Sequence, residues 1–213
     1  MINLSLYQGY KKDSVKESQS LTSLSRYVWS LIITGHHLES HLDFFKDMLG
    51  HIGYILEENT LYIFYFESYL DNIEDTLKLY SEDQFEDVTI DILPKIKSSK
   101  VQDIESLKEL YRKIHNEQSV YSLRELALGL IKNDNGDIKV AADIIFDSLG
   151  GIGEVSNIIV SMAECNLNVS KASDMCYLHR NTMNNKIEAM KQALYLTPQS
   201  FKDEMSLILY IKQ

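Results

Sequence analysis

Asn168-Val-Ser-Lys171-Ala172-Ser173-Asp-Met-Cys176-Tyr-Leu-His179-Arg180-Asn181-Thr182-Met183-Asn184-Asn185-Lys186-Ile187 is the stretch whose reading decides the fold. It reads as two short helices joined by a tight turn. Asn168 has the side chain that caps a helix start, accepting from backbone N–H groups two or three residues on, and Ala172 is small enough for a second helix to approach closely. In the second helix Met183, Ile187, Met190 and Leu194 follow one another at i, i+4, i+7 and i+11, a single apolar stripe at helical period. The opposite face then carries Arg180, Asn181, Asn184 and Asn185, bordered by Thr182 and Lys186. Guanidinium, amide and ammonium groups together suit phosphates and base edges.

The same stretch resembles the C-terminal DNA-binding region of PucR/CdaR-type transcriptional regulators, in which an Asn-Val-Ser start precedes a small-residue helix and His-Arg-Asn-Thr-Leu opens the recognition helix. Here that entry is His179-Arg180-Asn181-Thr182-Met183. It is also similar to the helix-turn-helix of Fis-type nucleoid proteins. The resemblance covers about 158–194 and includes a preceding helix at 155–164 that carries Ile158, Ile159 and Met162. It implies double-stranded DNA as partner, with Lys171, His179, Arg180, Asn181, Thr182, Asn184, Asn185 and Lys186 on the contact surface. The sequence departs from the family at Ser173, at Cys176 in place of a leucine, at Asn185-Lys186 in place of Tyr-Arg, and in lacking a glycine within 192–198.

The chain has 213 residues, enough for one sizeable domain or two small ones, and its formal net charge is −10. Within 168–194 four basic residues, Lys171, Arg180, Lys186 and Lys191, face two acidic ones, Asp174 and Glu188. That leaves +2 on the stretch and −12 on the rest of the chain. An acidic body with a mildly basic reading head binds DNA weakly as a monomer, because phosphate neutralisation supplies much of such affinity, so a homodimer is expected. The two cysteines, Cys165 and Cys176, lack the spacing of a zinc or redox site and read as reduced, in the cytoplasm. The longest apolar runs, 28–34 and 61–66, are far short of a bilayer span, so no membrane is expected as partner. Only four arginines occur, which singles out Arg180 at the start of the second helix.

Upstream the periodicity changes. Tyr27-Val-Trp29-Ser-Leu31-Ile-Ile33-Thr predicts a buried strand, 37–49 a helix with Leu38, Leu42, Phe45 and Leu49 on one side, and 52–56 and 61–66 a hairpin about Glu57-Glu58-Asn59-Thr60. A helix at 73–85 and an alternating strand at 88–93 follow, ended by Pro94. The fold class read from this is α+β, with a β-α-β-β-α-β body of split βαβ type, ferredoxin-like in element order, followed by an all-α helix-turn-helix domain. That order is similar to the GGDEF-like domain found upstream of the helix-turn-helix in many PucR/CdaR regulators, here in degenerate form. A GAF- or PAS-like pocket is the alternative. A cyclase of the GGDEF kind needs a Gly-Gly-acidic-acidic turn so that backbone can approach a triphosphate. Glu57-Glu58-Asn59-Thr60 supplies no glycine, so cyclase activity is not expected.

From residue 101 the pattern is helical, at 104–116, 120–132 and 138–149. Gly150-Gly-Ile-Gly153 interrupts it and reads as a hinge between domains. The expected division is therefore an N-terminal arm at 1–25, an α/β sensor or dimerisation domain with trailing helices at 26–150, and the DNA-binding domain at 151–213. Thr197-Pro198 is expected to open a last helix whose Met205, Leu207, Ile208 and Ile211 close the core.

Other constellations favour plainer readings. His37 and His41 at i, i+4, with His36 and His51 nearby, invite a metal, but His-x-Glu-x-His points Glu39 away from both rings. Asn133-Asp-Asn135-Gly136-Asp137 lacks the carboxylates of a calcium loop and reads as a turn. Acidic pairs such as Glu74-Asp75, Glu82-Asp83 and Glu86-Asp87 fit a solvated helix face, and Tyr62, Phe64, Tyr65, Phe66, Tyr69 and Tyr80 fit core. The expectation is thus a non-enzymatic transcriptional regulator without metal or cofactor, open to a small-molecule effector. The competing reading is an interaction or scaffold protein that uses the same helices against another protein.

Overall fold

The computed structural model describes residues 8–10, 26–50, 52–66, 72–83, 88–116, 118–131 and 135–212. It divides into two compact units, Met1–Ser122 and Leu123–Gln213. The architecture is α+β, with a sheet in the first unit and helices throughout the second. Most of the expected arm at 1–25, together with His51, Tyr69, Phe85 and the pair Glu86-Asp87, lies outside the described residues.

The first unit contains the expected series. Strand β2 (Tyr27–Thr34) leads through a 3-10 turn at Leu38–His41 into α1 (Leu42–Leu49), followed by β3 (Ile52–Glu57), β4 (Thr60–Tyr65), α2 (Ile73–Asp83) and β5 (Thr89–Ile92). In the sheet these strands stand in the order β3-β4-β2-β5, every neighbouring pair antiparallel, as a split βαβ arrangement requires. The central strands are the apolar ones: Val28 to Ile33 and all of β4 are buried, so both faces of the sheet are covered there.

Three further short strands join the sheet. β1 (Gln8–Tyr10) pairs with β3, β6 (Ile96–Lys97) pairs with β2, and β7 (Val120–Tyr121) runs parallel to β5 after the helix α3 (Asp103–Arg112). β7 corrects the helix expected over 120–132. Val120 and Tyr121 are spent on extending the sheet, and the helix α4 (Leu123–Leu130) starts after Ser122.

The boundary expected at Gly150 moves to Leu123, because the helices before the glycines pack with the helices after them. α4 and α5 (Asn135–Ile145) rest against the last helix, α9 (Phe201–Ile211), as does α6 (Ile152–Glu164). The Tyr210 hydroxyl donates to the Leu123 carbonyl at 2.7 Å, and the Arg124 guanidinium grips Asp203 Oδ1 through Nε at 2.9 Å and Nη2 at 2.7 Å. Gly150 and Gly151, both at positive φ near 90°, therefore make a turn inside the second unit.

α9 departs from expectation twice. Thr197-Pro198 forms a turn, with Thr197 Oγ1 accepting from the Gln199 N–H and the Thr197 carbonyl from Ser200, and the helix begins only after Ser200. Its inner face is Asp203, Glu204, Leu207 and Tyr210, while Met205 stands 44% exposed. The Arg124–Asp203 pair and the Tyr210 hydrogen bond rotate the helix away from the purely apolar stripe that the sequence offered.

Candidate nucleic-acid interface

α6, α7 (Val169–Met175) and α8 (Arg180–Leu194) form the region that the sequence singled out. Each junction has a definite cause. α6 ends with Asn166 at φ 50, where the Asn166 N–H bonds to the Ala163 carbonyl and the Leu167 N–H to the Met162 carbonyl. This paired closure is a Schellman motif, and asparagine tolerates its left-handed position. Asn168 then caps α7, its Oδ1 accepting from the Lys171 N–H at 3.1 Å. α7 ends by the same device one helix later: the Tyr177 N–H bonds to the Asp174 carbonyl and the Leu178 N–H to the Ser173 carbonyl.

His179 then caps α8 through Nδ1, which accepts from the Asn181 N–H at 3.2 Å. This gives His179 a positioning task within the entry motif. Ala172 and Ser173 are buried, which accounts for two small residues at this place. The thiol at Cys176, where the resembled family has leucine, lies 3.0 Å from the Ser161 hydroxyl and within 3.5 Å of the Asn157 carbonyl, tying the turn back to α6.

In α8, Met183, Ile187, Met190, Ala193 and Leu194 are buried, while Arg180, Asn181, Thr182, Asn184 and Asn185 are exposed. The stripe and its polar opposite thus fall where the spacing placed them. Lys171 on α7 and His179 in the turn are exposed as well. Lys186 is the exception within the set. It lies on the other border of the helix, about 120° around from Arg180 at 100° per residue, with Nζ 3.9 Å from Oε2 of Glu154 on α6. Side-chain exposure of 41% for Lys186 and 64% for Glu154 makes this a weak, screened pair. It still places a carboxylate beside the Lys186 ammonium. Glu154 and the fully exposed Tyr177 went unmarked in the sequence reading.

The first unit holds a different polar group. Register aligns Tyr62, Ile32, Asp91 and Tyr121 across β4, β2, β5 and β7 on one face of the sheet. There the Tyr62 hydroxyl donates to Glu105 at 2.6 Å and accepts from Lys108 at 2.7 Å, while the buried Asp91 carboxylate lies 2.7 Å from Nε2 of His115. Burial pushes the Asp91 carboxyl up, and the His115 partner offsets part of that. These groups satisfy one another. The hairpin turn of β3 and β4 holds Glu58 at φ 47 without a glycine, and the Asn59 carbonyl accepts from the Gly35 N–H.

The histidines expected to share a helical face do not form one. His37 is left-handed at the start of the 3-10 turn, and His41 is buried with Nδ1 on the Tyr80 hydroxyl. Among the described residues no three His, Cys, Asp or Glu side chains are grouped to hold a metal ion. Among them, too, no helix is long and apolar enough to cross a membrane.

No family model matches the chain, and no curated protein matches it. Three solved chains do, one of which is a regulator of polyketide synthase expression from Bifidobacterium adolescentis. That likeness has 9% identity and a TM-score of 0.39, covering 87% of this chain and 79% of the other. Similarity so distant transfers no residue role.

Proposed function

We propose that this chain is a non-enzymatic DNA-binding transcriptional regulator whose α8 enters the major groove, acting as a homodimer. The observation that carries the reading is the split of α8: its apolar stripe is buried and Arg180, Asn181, Asn184 and Asn185 are all presented to solvent at its N-terminal half. In groove-reading helices those first turns meet base edges, while neighbouring cations and backbone amides hold phosphates. Dimerisation follows from charge. A surplus of two positive charges gives few phosphate contacts, and two-fold pairing doubles them over half-sites about 34 Å apart. Any small-molecule effector acts through its differential affinity for two states of the protein.

Selection from random duplexes at about 50 mM salt tests the reading, together with sedimentation of free and bound protein. A shared sequence in the retained pool and a dimer on that duplex are expected. A protein that retains no duplex, while binding another protein through α8, returns the scaffold reading.

A finer expectation concerns Glu154. Glu154→Gln removes the carboxylate beside Lys186 and should strengthen binding to all duplexes alike, by a factor of roughly 2–4, since exposed pairs are worth less than about 1 kcal/mol. Lys186→Ala should weaken all duplexes alike and lower the salt slope by about one. In the Lys186→Ala background, Glu154→Gln should lose most of its effect. Titration of the four proteins at several salt concentrations checks the cycle.

A further inference from the structure

Tyr177 is 97% exposed and stands at φ 54 in the turn between α7 and α8. Both facts run against stability. The position closes a Schellman motif, where the left-handed conformation favours glycine or asparagine, and the equivalent position one helix earlier holds Asn166. A tyrosine in that conformation is strained, and a ring in open solvent offsets none of the strain through burial. Strained residues kept without a packing return gather at functional sites. Tyr177 also lies three residues before Arg180 in a segment where His179, Arg180, Asn181 and Thr182 are exposed.

We infer that Tyr177 is a backbone contact of the DNA-binding surface, its phenol O–H donating to a phosphate oxygen of the strand beside the groove that α8 enters. The inference rests on the DNA reading above and adds a positioning residue to it. A tyrosine hydroxyl is a common donor to phosphate, and being neutral it releases no counterion. Its contribution is therefore independent of both sequence and salt, which separates it from Arg180 and Lys186. The ring is an outward projection, fitting a phosphate ridge better than a pocket.

Three proteins decide the matter on the selected duplex and on an unrelated one: wild type, Tyr177→Phe and Tyr177→Gly. Tyr177→Phe should bind both duplexes roughly three- to tenfold more weakly, with an unchanged salt slope. Tyr177→Gly should bind at least as weakly, yet its Tm should be equal to or higher than that of wild type, because glycine relaxes the turn. Loss of binding beside retained stability is the signature that a merely structural tyrosine would not give. Equal binding by wild type and Tyr177→Phe overturns the phenol contact. A fall in Tm with Tyr177→Gly overturns the view that the residue is kept against stability. A wild type that holds no duplex defeats the DNA reading itself, and Tyr177 with it.

Discussion

Glu204→Met is expected to stabilise the protein by about 4 kcal/mol at pH 8 and by almost nothing at pH 4.5. Glu204 is 2% exposed on the inner face of α9, and neither of its carboxylate oxygens has a hydrogen-bond partner among the described residues. Burial pushes its carboxyl up to about 8 from the ordinary 4.5, and the backbone at Ala163 acts in the opposite direction. Between those two values the folded protein holds a proton that the unfolded chain has released. The stability contribution is therefore fully present below about pH 4.5 and is lost as the pH rises to about 8. At pH 7 the loss amounts to roughly 3 kcal/mol, at 1.36 kcal/mol for each pH unit above the unfolded value. Its neighbour Asp203 has partners on both oxygens: Arg124 donates to Oδ1 and the Thr197 N–H to Oδ2. Methionine matches glutamate in length and carries no charge to bury. Urea unfolding of both proteins at pH 4.5 and pH 8 measures the difference. Identical unfolding free energies at pH 8 would show that Glu204 finds a partner on ionising.

The parts of this fold that were legible in the sequence are those where one local rule acts alone. The α8 stripe at Met183, Ile187, Met190 and Leu194 and the Asn168 cap each depend on residues within a few positions, and the structure has both. The central strands announced themselves by runs of β-branched and aromatic residues. Long-range pairing was hidden. Two residues at Val120-Tyr121 carry no periodicity, and only the exposed edge of β5 makes them a strand. The boundary at Leu123 follows from Arg124 meeting Asp203, 79 positions away, and no spacing rule reaches so far. The same holds in α9, where a charged pair and a tyrosine hydroxyl displaced the Met205 and Ile211 stripe.

Within the candidate interface the same division applies. Arg180, Asn181, Asn184 and Asn185 were assigned by helical angle, a local property, and they stand exposed together. Lys186 shared their chemistry without their direction. Its carboxylate partner, Glu154, sits on a helix 32 positions upstream, so the pair was invisible until α6 was placed beside α8. Tyr177 was hidden differently: sequence rules put glycine or asparagine after a helix, so a tyrosine there reads as the absence of a stop signal.

Arg180→Ala should cost about 1–3 kcal/mol of binding to the selected duplex, and the loss should fall on one base position. Arg180 is the first residue of α8 and exposed. A cation at a helix N-terminus opposes the macrodipole and costs the helix about 0.3–1 kcal/mol, so the residue is not there for the sake of α8. Its planar guanidinium can fork onto O6 and N7 of a guanine, a pattern unique to that base in the major groove. Losing the fork should relax discrimination at the contacted pair while the remaining positions keep theirs. Losing a phosphate contact would weaken every duplex equally, and this is how Arg180→Ala separates from Lys186→Ala. Thermal unfolding should show the variant at least as stable as wild type, because the unfavourable charge is gone. Affinity for the selected duplex and its single-base variants, at fixed salt, resolves the two cases. Unchanged affinity in Arg180→Ala with a duplex still retained would place the contact surface away from the start of α8, and the assignment of Asn181 and Asn184 to base edges would fall with it.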